Sequence, residues 1–290
     1  LDFMIKNNFL FSPAGKIEKK ELSEINNDLD NFIKLTNNIG PFDRHKIHLL
    51  IPSIYELANN KNILDNVEDF VNAKCLMWYS VLFNKEKKTN LHIPWHYDDY
   101  FWNLRGKGCT VWVALNNITS EMGPMEFAFD DNIKDLKHDI NQDPHNILVR
   151  GNTSNYSPGE NIKTEIVTLD AGEYSIHSNS VMHRSGINKT EVDRRAFALR
   201  FIEIKAKPLS FKFFKRGVVS KYDLPSPFFL EKKPSKIYKS LSSKEHFFSV
   251  VQSSIITFFG DQKRSISKKF IDLIKFIFSK KILKILKIIR

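Results

Sequence analysis

Cys75-Leu76-Met77-Trp78-Tyr79-Ser80-Val81-Leu82-Phe83 is the stretch on which the fold turns. It is a short apolar run bounded by polar residues, and it reads as a buried strand. Upstream of it the spacing is helical. Ile17, Leu22, Ile25, Leu29, Phe32 and Ile33 recur through 17–35, and Ile54, Leu57, Ile63, Leu64, Val67 and Phe70 through 51–70. Downstream the short apolar runs repeat at 109–115, 125–129, 165–169, 173–177 and 196–204. Turn signals separate them, among them Met122-Gly123-Pro124, Ser157-Pro158-Gly159 and Asp170-Ala171-Gly172. Helices followed by many short strands predict an α+β, mainly β protein built on a β-sandwich or jelly roll. The chain has no glycine-rich phosphate loop and no strand–helix alternation, which argues against a Rossmann domain.

Composition narrows the class further. With 290 residues, 42% hydrophobic and 12% aromatic, the chain can bury a large core, which excludes wholesale disorder. Cys75 and Cys109 are its only cysteines, too few for a disulfide framework and in keeping with a reducing, cytoplasmic setting. The opening residues show no secretory leader pattern, and no stretch of about 18 residues is free of charge. The net charge of +11 suggests a polyanion-binding protein until it is divided. Residues 205–290 carry 21 basic and 5 acidic side chains, or +16, whereas 1–204 carry 23 and 28, or −5. The expected organisation is a mildly acidic domain over 1–205 and a basic extension over 206–290.

The chemistry starts from Trp95-His96-Tyr97-Asp98. On a strand, residues two apart face the same way, so His96 and Asp98 reach one ion. Two such ligands and a distant histidine form the 2-His-1-carboxylate face that holds Fe(II) and leaves positions open for co-substrate and oxygen.

Further along come Gly172-Glu173-Tyr174-Ser175-Ile176-His177 and then His183-Arg184-Ser185-Gly186-Ile187-Asn188-Lys189-Thr190, with Arg194 eleven residues after His183. Together with Trp95-His96-Tyr97-Asp98, with Phe83-Asn84-Lys85-Glu86 before it and with Val111-Trp112-Val113 after it, this pattern resembles the phytanoyl-CoA dioxygenase family of Fe(II)/2-oxoglutarate oxygenases over residues 5–204. The resemblance implies a double-stranded β-helix (jelly-roll, cupin-like) core flanked by N-terminal helices. It implies Fe(II) at His96, Asp98 and His183, with 2-oxoglutarate and O2 as co-substrates. It also implies that Arg194 clamps the distal carboxylate of 2-oxoglutarate, with Ser185 and Trp112 beside it. A guanidinium suits that role, because it offers two parallel donors and keeps its proton. For Trp112 core packing, and for Ser185 a turn hydroxyl, remain open readings. Tyr97, Tyr100, His177 and Arg150 are candidate substrate contacts; His177 would share a strand face with His183 or serve as a buried core histidine. Asp98 stands where related halogenases have Ala or Gly, so hydroxylation of a small-molecule or lipid-like substrate, with release of succinate and CO2, is the expected outcome. The alternatives are a cupin-like metalloenzyme such as an isomerase that needs no 2-oxoglutarate, and a non-catalytic jelly-roll binding module.

The basic end of the chain is predicted to be helical over 266–290. Phe270, Leu273, Ile274 and Ile277 fall on one face, and Lys284 and Lys287 lie opposite Ile282, Ile285, Leu286 and Ile289. Such a helix suits peripheral contact with an anionic membrane interface, or packing on its own domain or on a second subunit. No nucleic-acid module accompanies the charge, so nucleic acid is not expected as a partner.

Overall fold

The computed structural model describes residues 5–6, 9–36, 47–100, 104–130, 143–148, 156–208 and 234–239. Two strands, β1 (Ile5–Lys6) and β2 (Leu10–Lys16), lead into helices α1 (Lys19–Thr36), α2 (Pro52–Ala58) and α3 (Lys61–Val71). Then follow β3 (Cys75–Lys85), β4 (Ile93–His96), β5 (Leu104–Arg105), β6 (Gly108–Ala114), β7 (Met125–Ala128) and β8 (Thr164–Val167). The described body closes with β9 (Glu173–Ser178), β10 (Met182–Ser185), β11 (Arg194–Glu203) and β12 (Lys207–Pro208). Six strands form one sheet in the order β1-β2-β9-β6-β11-β3, and four form a second in the order β4-β10-β7-β8. All the strand pairings are antiparallel. The core is mainly β and antiparallel, consistent with a cupin or jelly-roll architecture.

Side-chain alternation explains the layers. In β11, Phe197, Leu199 and Phe201 join one buried cluster while Ala196 and Ala198 join another. In β6, Val111 and Val113 lie with the first set and Trp112 and Ala114 with the second. The first cluster includes Ile25, Leu29 and Phe32 of α1 and Ile63 and Val67 of α3, so the helices cover that face of the six-stranded sheet. The second includes Met125, Phe127 and Val167 of β7 and β8, so it lies between the two sheets. Burial on both faces is why β3, β6 and β11 read as almost unbroken apolar runs rather than as alternating ones.

The helical run expected over 51–70 is two helices. Asn59 closes α2, and Asn60 caps α3 by accepting from the backbone N–H groups of Asn62 and Ile63. Asparagine favours that capping position over a helix interior, which puts the break at the Asn-Asn pair. From the region expected as a separate extension, Ile237 and Tyr238 pack against the helix-side cluster, and the Tyr238 N–H donates to the Leu50 carbonyl at 3.0 Å. The helix expected over 266–290 lies outside the described residues. Among the described residues, no helix is long and apolar enough to cross a membrane.

Phe197 is fully buried where β11 meets the helices. Phe197→Ala should lower the unfolding free energy by about 3–5 kcal/mol. Urea denaturation followed by circular dichroism measures this, and a wild-type midpoint would contradict the assignment of this face to the core.

Candidate metal centre and anion pocket

His183 on β10 lies directly opposite His96 at the end of β4 in the antiparallel register, and their ring centroids are 4.1 Å apart. Asp98 does not share the strand of His96, contrary to expectation. The strand ends at His96, and Asp98 opens the 3-10 turn Asp98–Tyr100. All three side chains are buried, and each offers a ligand atom within 4.8 Å of the others. No other group of three or more His, Cys, Asp or Glu side chains among the described residues is so arranged.

Hydrogen bonding prepares the donors. The Nδ1 of His96 lies 2.9 Å from the Pro94 carbonyl, and the Nδ1 of His183 lies 3.0 Å from the Val181 carbonyl. A carbonyl only accepts, so Nδ1 carries the proton in each ring and Nε2 keeps the lone pair that a metal takes. Burial pulls the His183 pKa below its ordinary value, which favours the same neutral form. Asp98 accepts from the Thr110 hydroxyl at 3.0 Å and pairs with the Arg200 guanidinium at 3.2 Å. Burial would raise its pKa. The Arg200 charge, followed by the neighbouring histidines, instead holds the carboxyl well below the usual carboxylate range. Two neutral imidazoles and an ionised carboxylate are the donor set of a facial triad. The residues fit a divalent iron.

Beside the triad lies a second polar cluster. Arg194, the first residue of β11, is 1% exposed. Its Nη1 donates to the Ser185 hydroxyl at 2.9 Å and to the Gly123 carbonyl, and its guanidinium carbon sits 5.3 Å from the centre of the Trp112 ring. Its Nε and Nη2 are buried with no partner. Burial lowers its pKa to about 10, so it remains charged at neutral pH. A buried cation with two unspent N–H groups fits a carboxylate. Gly123 is required where it stands: its φ is +62°, and a Cβ there would lie 2.3 Å from the Gly186 carbonyl oxygen.

The structure thus brings His96, Asp98 and His183 together, and Arg194, Ser185 and Trp112 together. His177 does not share a strand with His183. It lies on β9 in the six-stranded sheet, and its ring reaches the His183 ring across the interior at 5.1 Å. The intervening Asn179–Val181 segment breaks the regular strand assumed in counting six residues. Its Nδ1 is buried without a partner, and burial lowers its pKa to about 3. Tyr97 packs against the cluster of Trp95, Ala128 and Met182. Arg150 and the Tyr100 side chain lie outside the described residues. Sequence reasoning assigned no role to Thr110, Arg200 and Lys85. The signal for Arg200 was its spacing of six from Arg194, an even number on one strand. For Lys85 it was a place two residues beyond Phe83, on the same face.

The family model described as phytanoyl-CoA dioxygenase (PhyH) matches residues 18–196. Among solved structures, the non-heme monooxygenase ThoJ in its apo form is similar at 23% identity, covering 86% of this chain and 93% of its own, with a TM-score of 0.64. The epimerase SnoN in complex with Fe3+, alpha ketoglutarate and nogalamycin RO is similar at 17% identity over 70% and 84%, with a TM-score of 0.52. The non-heme alpha ketoglutarate dependent carbocyclase SnoK from nogalamycin biosynthesis is similar at 15% identity over 66% and 79%, also at 0.52. At these identities the likeness is one of fold. No curated protein matches the chain.

Asp98→Ala and His183→Ala should each abolish uptake of one Mn(II) or Fe(II) per chain while leaving the circular dichroism spectrum intact. Metal analysis of the gel-filtered protein reads the outcome, and undiminished uptake by both variants would exclude the triad as the metal site.

Proposed function

Because the chain belongs to the phytanoyl-CoA dioxygenase family, we propose that it is a non-haem Fe(II)- and 2-oxoglutarate-dependent dioxygenase that hydroxylates a small-molecule or lipid-like substrate. The observation that carries the reading is the pairing of two incomplete sites in one buried interior. Three protein donors leave a metal face open, and beside them a charged guanidinium has two N–H groups without an acceptor.

Bound at the triad, Fe(II) with 2-oxoglutarate supplies oxidation of an unactivated C–H bond by O2, with release of succinate and CO2. This chain's residues provide the setting. His96 and His183 present Nε2, and Asp98 presents a carboxylate kept ionised by Arg200 and oriented by Thr110. Such outer contacts fix ligand geometry, and their loss commonly costs 10–100-fold in metal affinity or activity. Arg194 takes the distal carboxylate of 2-oxoglutarate with Ser185 alongside, while Trp112 and Phe83, with ring centroids 5.2 Å apart, form an apolar wall. A dry, apolar interior strengthens these charge contacts and keeps water from competing for the open face. The halogenases of this family free a coordination position for chloride by replacing the aspartate. Asp98 occupies that position here, which supports hydroxylation.

Succinate release from 2-oxoglutarate, Fe(II) and O2 across a panel of acyl thioesters, amino acids and natural-product intermediates tests the proposal. The wild type should form succinate and Asp98→Ala none. Arg194→Leu should raise the KM for 2-oxoglutarate by roughly 100-fold or more, since two hydrogen bonds to a charged group are worth about 1.5–3 kcal/mol each. Succinate formation unchanged in both variants would overturn the reading.

A further inference from the structure

Lys85 is the last residue of β3 and is 2% exposed. It pairs directly with Arg194 across the β3–β11 register. Its Nζ donates to the Ser185 hydroxyl at 2.7 Å and to the Gly186 carbonyl, and lies 3.4 Å from the Ser185 carbonyl. Two basic side chains are therefore cross-strand neighbours inside the protein and share one serine hydroxyl as acceptor. Like charges facing each other across strands repel, and a buried charge without a counter-charge is costly. No carboxylate among the described residues pairs with either one. By contrast, the inward-facing Arg200 six residues along β11 has Asp98. Neither basic group of the pocket has a counter-charge among the described side chains.

We propose that Lys85 is a positioning residue of the anion pocket, that it holds Ser185 and the turn at Gly186 in place for Arg194, and that the dicarboxylate co-substrate brings the missing counter-charge and is bound with uptake of a proton by Lys85. The inference rests on the 2-oxoglutarate reading above. The proton passes from solvent to the Lys85 Nζ, and no other bond changes.

The electrostatics agree in sign. Burial first, and the Arg194 charge second, lower the Lys85 pKa to about 6. The groups facing Nζ are Arg194 from β11, the Ser185 hydroxyl and carbonyl from β10, and the Gly186 carbonyl from the turn after it. None of these is acidic. Above pH 6 the empty pocket therefore holds mostly neutral lysine, and a carboxylate entering beside it favours the ammonium. Affinity for the dianion should be greatest below pH 6. It should weaken as the pH rises, by up to about tenfold per unit, until the pKa of the bound form is reached.

The experiment is calorimetric titration of 2-oxoglutarate into the Mn(II)-loaded full chain at pH 7.5, in two buffers of different ionisation enthalpy, for wild type, Lys85→Met, Lys85→Arg and Arg194→Leu. Wild type should take up close to one proton more than either Lys85 variant. Lys85→Met should bind about tenfold or more weakly, as expected for loss of a charge-assisted contact network. Lys85→Arg should keep most of the affinity without titrating, because a guanidinium does not lose its proton. A lysine that serves only as a strap between β3 and the turn would leave the proton count of all three alike. That result, or a Lys85→Met protein that binds as the wild type does, overturns the inference. If Lys85→Met does not fold, the proton count of Lys85→Arg decides. Arg194→Leu separates the two levels. Binding lost in Arg194→Leu but kept in Lys85→Met sinks only the role of Lys85, whereas binding kept in Arg194→Leu, or absent from the wild type, sinks the co-substrate reading with it.

Discussion

The period-two alternation of β11 is the constraint from which the rest of the structure follows. Its ten residues pair with β3 along their whole length and with β6 from Ala196 to Ile202. One face carries Phe197, Leu199 and Phe201 into the helical layer, and the other turns Arg194, Ala196, Ala198 and Arg200 inward. The two alanines leave room in the interior, and the two arginines stand at its ends. A slip of one residue would exchange these sets, placing guanidinium groups among helices and phenylalanines in the cavity. Register, core and chemistry are therefore one specification.

The two inward arginines are equipped differently. Arg200 meets Asp98, which keeps that ligand ionised, so its charge is spent within the protein. Arg194 meets a hydroxyl, a carbonyl and a lysine in place of an acid. Unpaired buried charge is rare in proteins because it destabilises them, and it persists where a ligand supplies the partner. The same strand thus carries one cation paired with a buried carboxylate and one whose guanidinium keeps two N–H groups unspent.

Much of this was legible in the sequence. Strands with both faces buried announce themselves as short apolar runs, so β3, β6 and β11 stood out, and the helical spacing of α1 was clear. His96, Asp98, His183 and Arg194 could be read from residue type and spacing in combination with the family resemblance. What escaped depended on tertiary placement. Asp98 joins His96 and His183 from a turn beyond the strand, so the same-face argument paired these residues through the wrong geometry. His177 and His183 belong to different sheets, and no count along the chain can report a contact made across an interior. Lys85 looks like an ordinary polar strand end, and Arg200 like a polar interruption of an apolar run, until the pairing shows which face they occupy. The Asn59-Asn60 break was visible in composition, yet the apolar spacing ran through it.

Gly123 stands where only glycine fits, and its carbonyl accepts from both the Arg194 guanidinium and, at 3.0 Å, the Ser185 hydroxyl. Those partners are 71 and 62 residues away, and Lys85 reaches Ser185 across 100. Three segments remote in the chain, around Lys85, Gly123 and Ser185–Arg194, must therefore close before the pocket exists. Contacts of such long sequence separation form late and slowly, after local helices and hairpins. A pocket built from contacts of this range is completed only with the packing of the two sheets, whereas the helices need only local contacts.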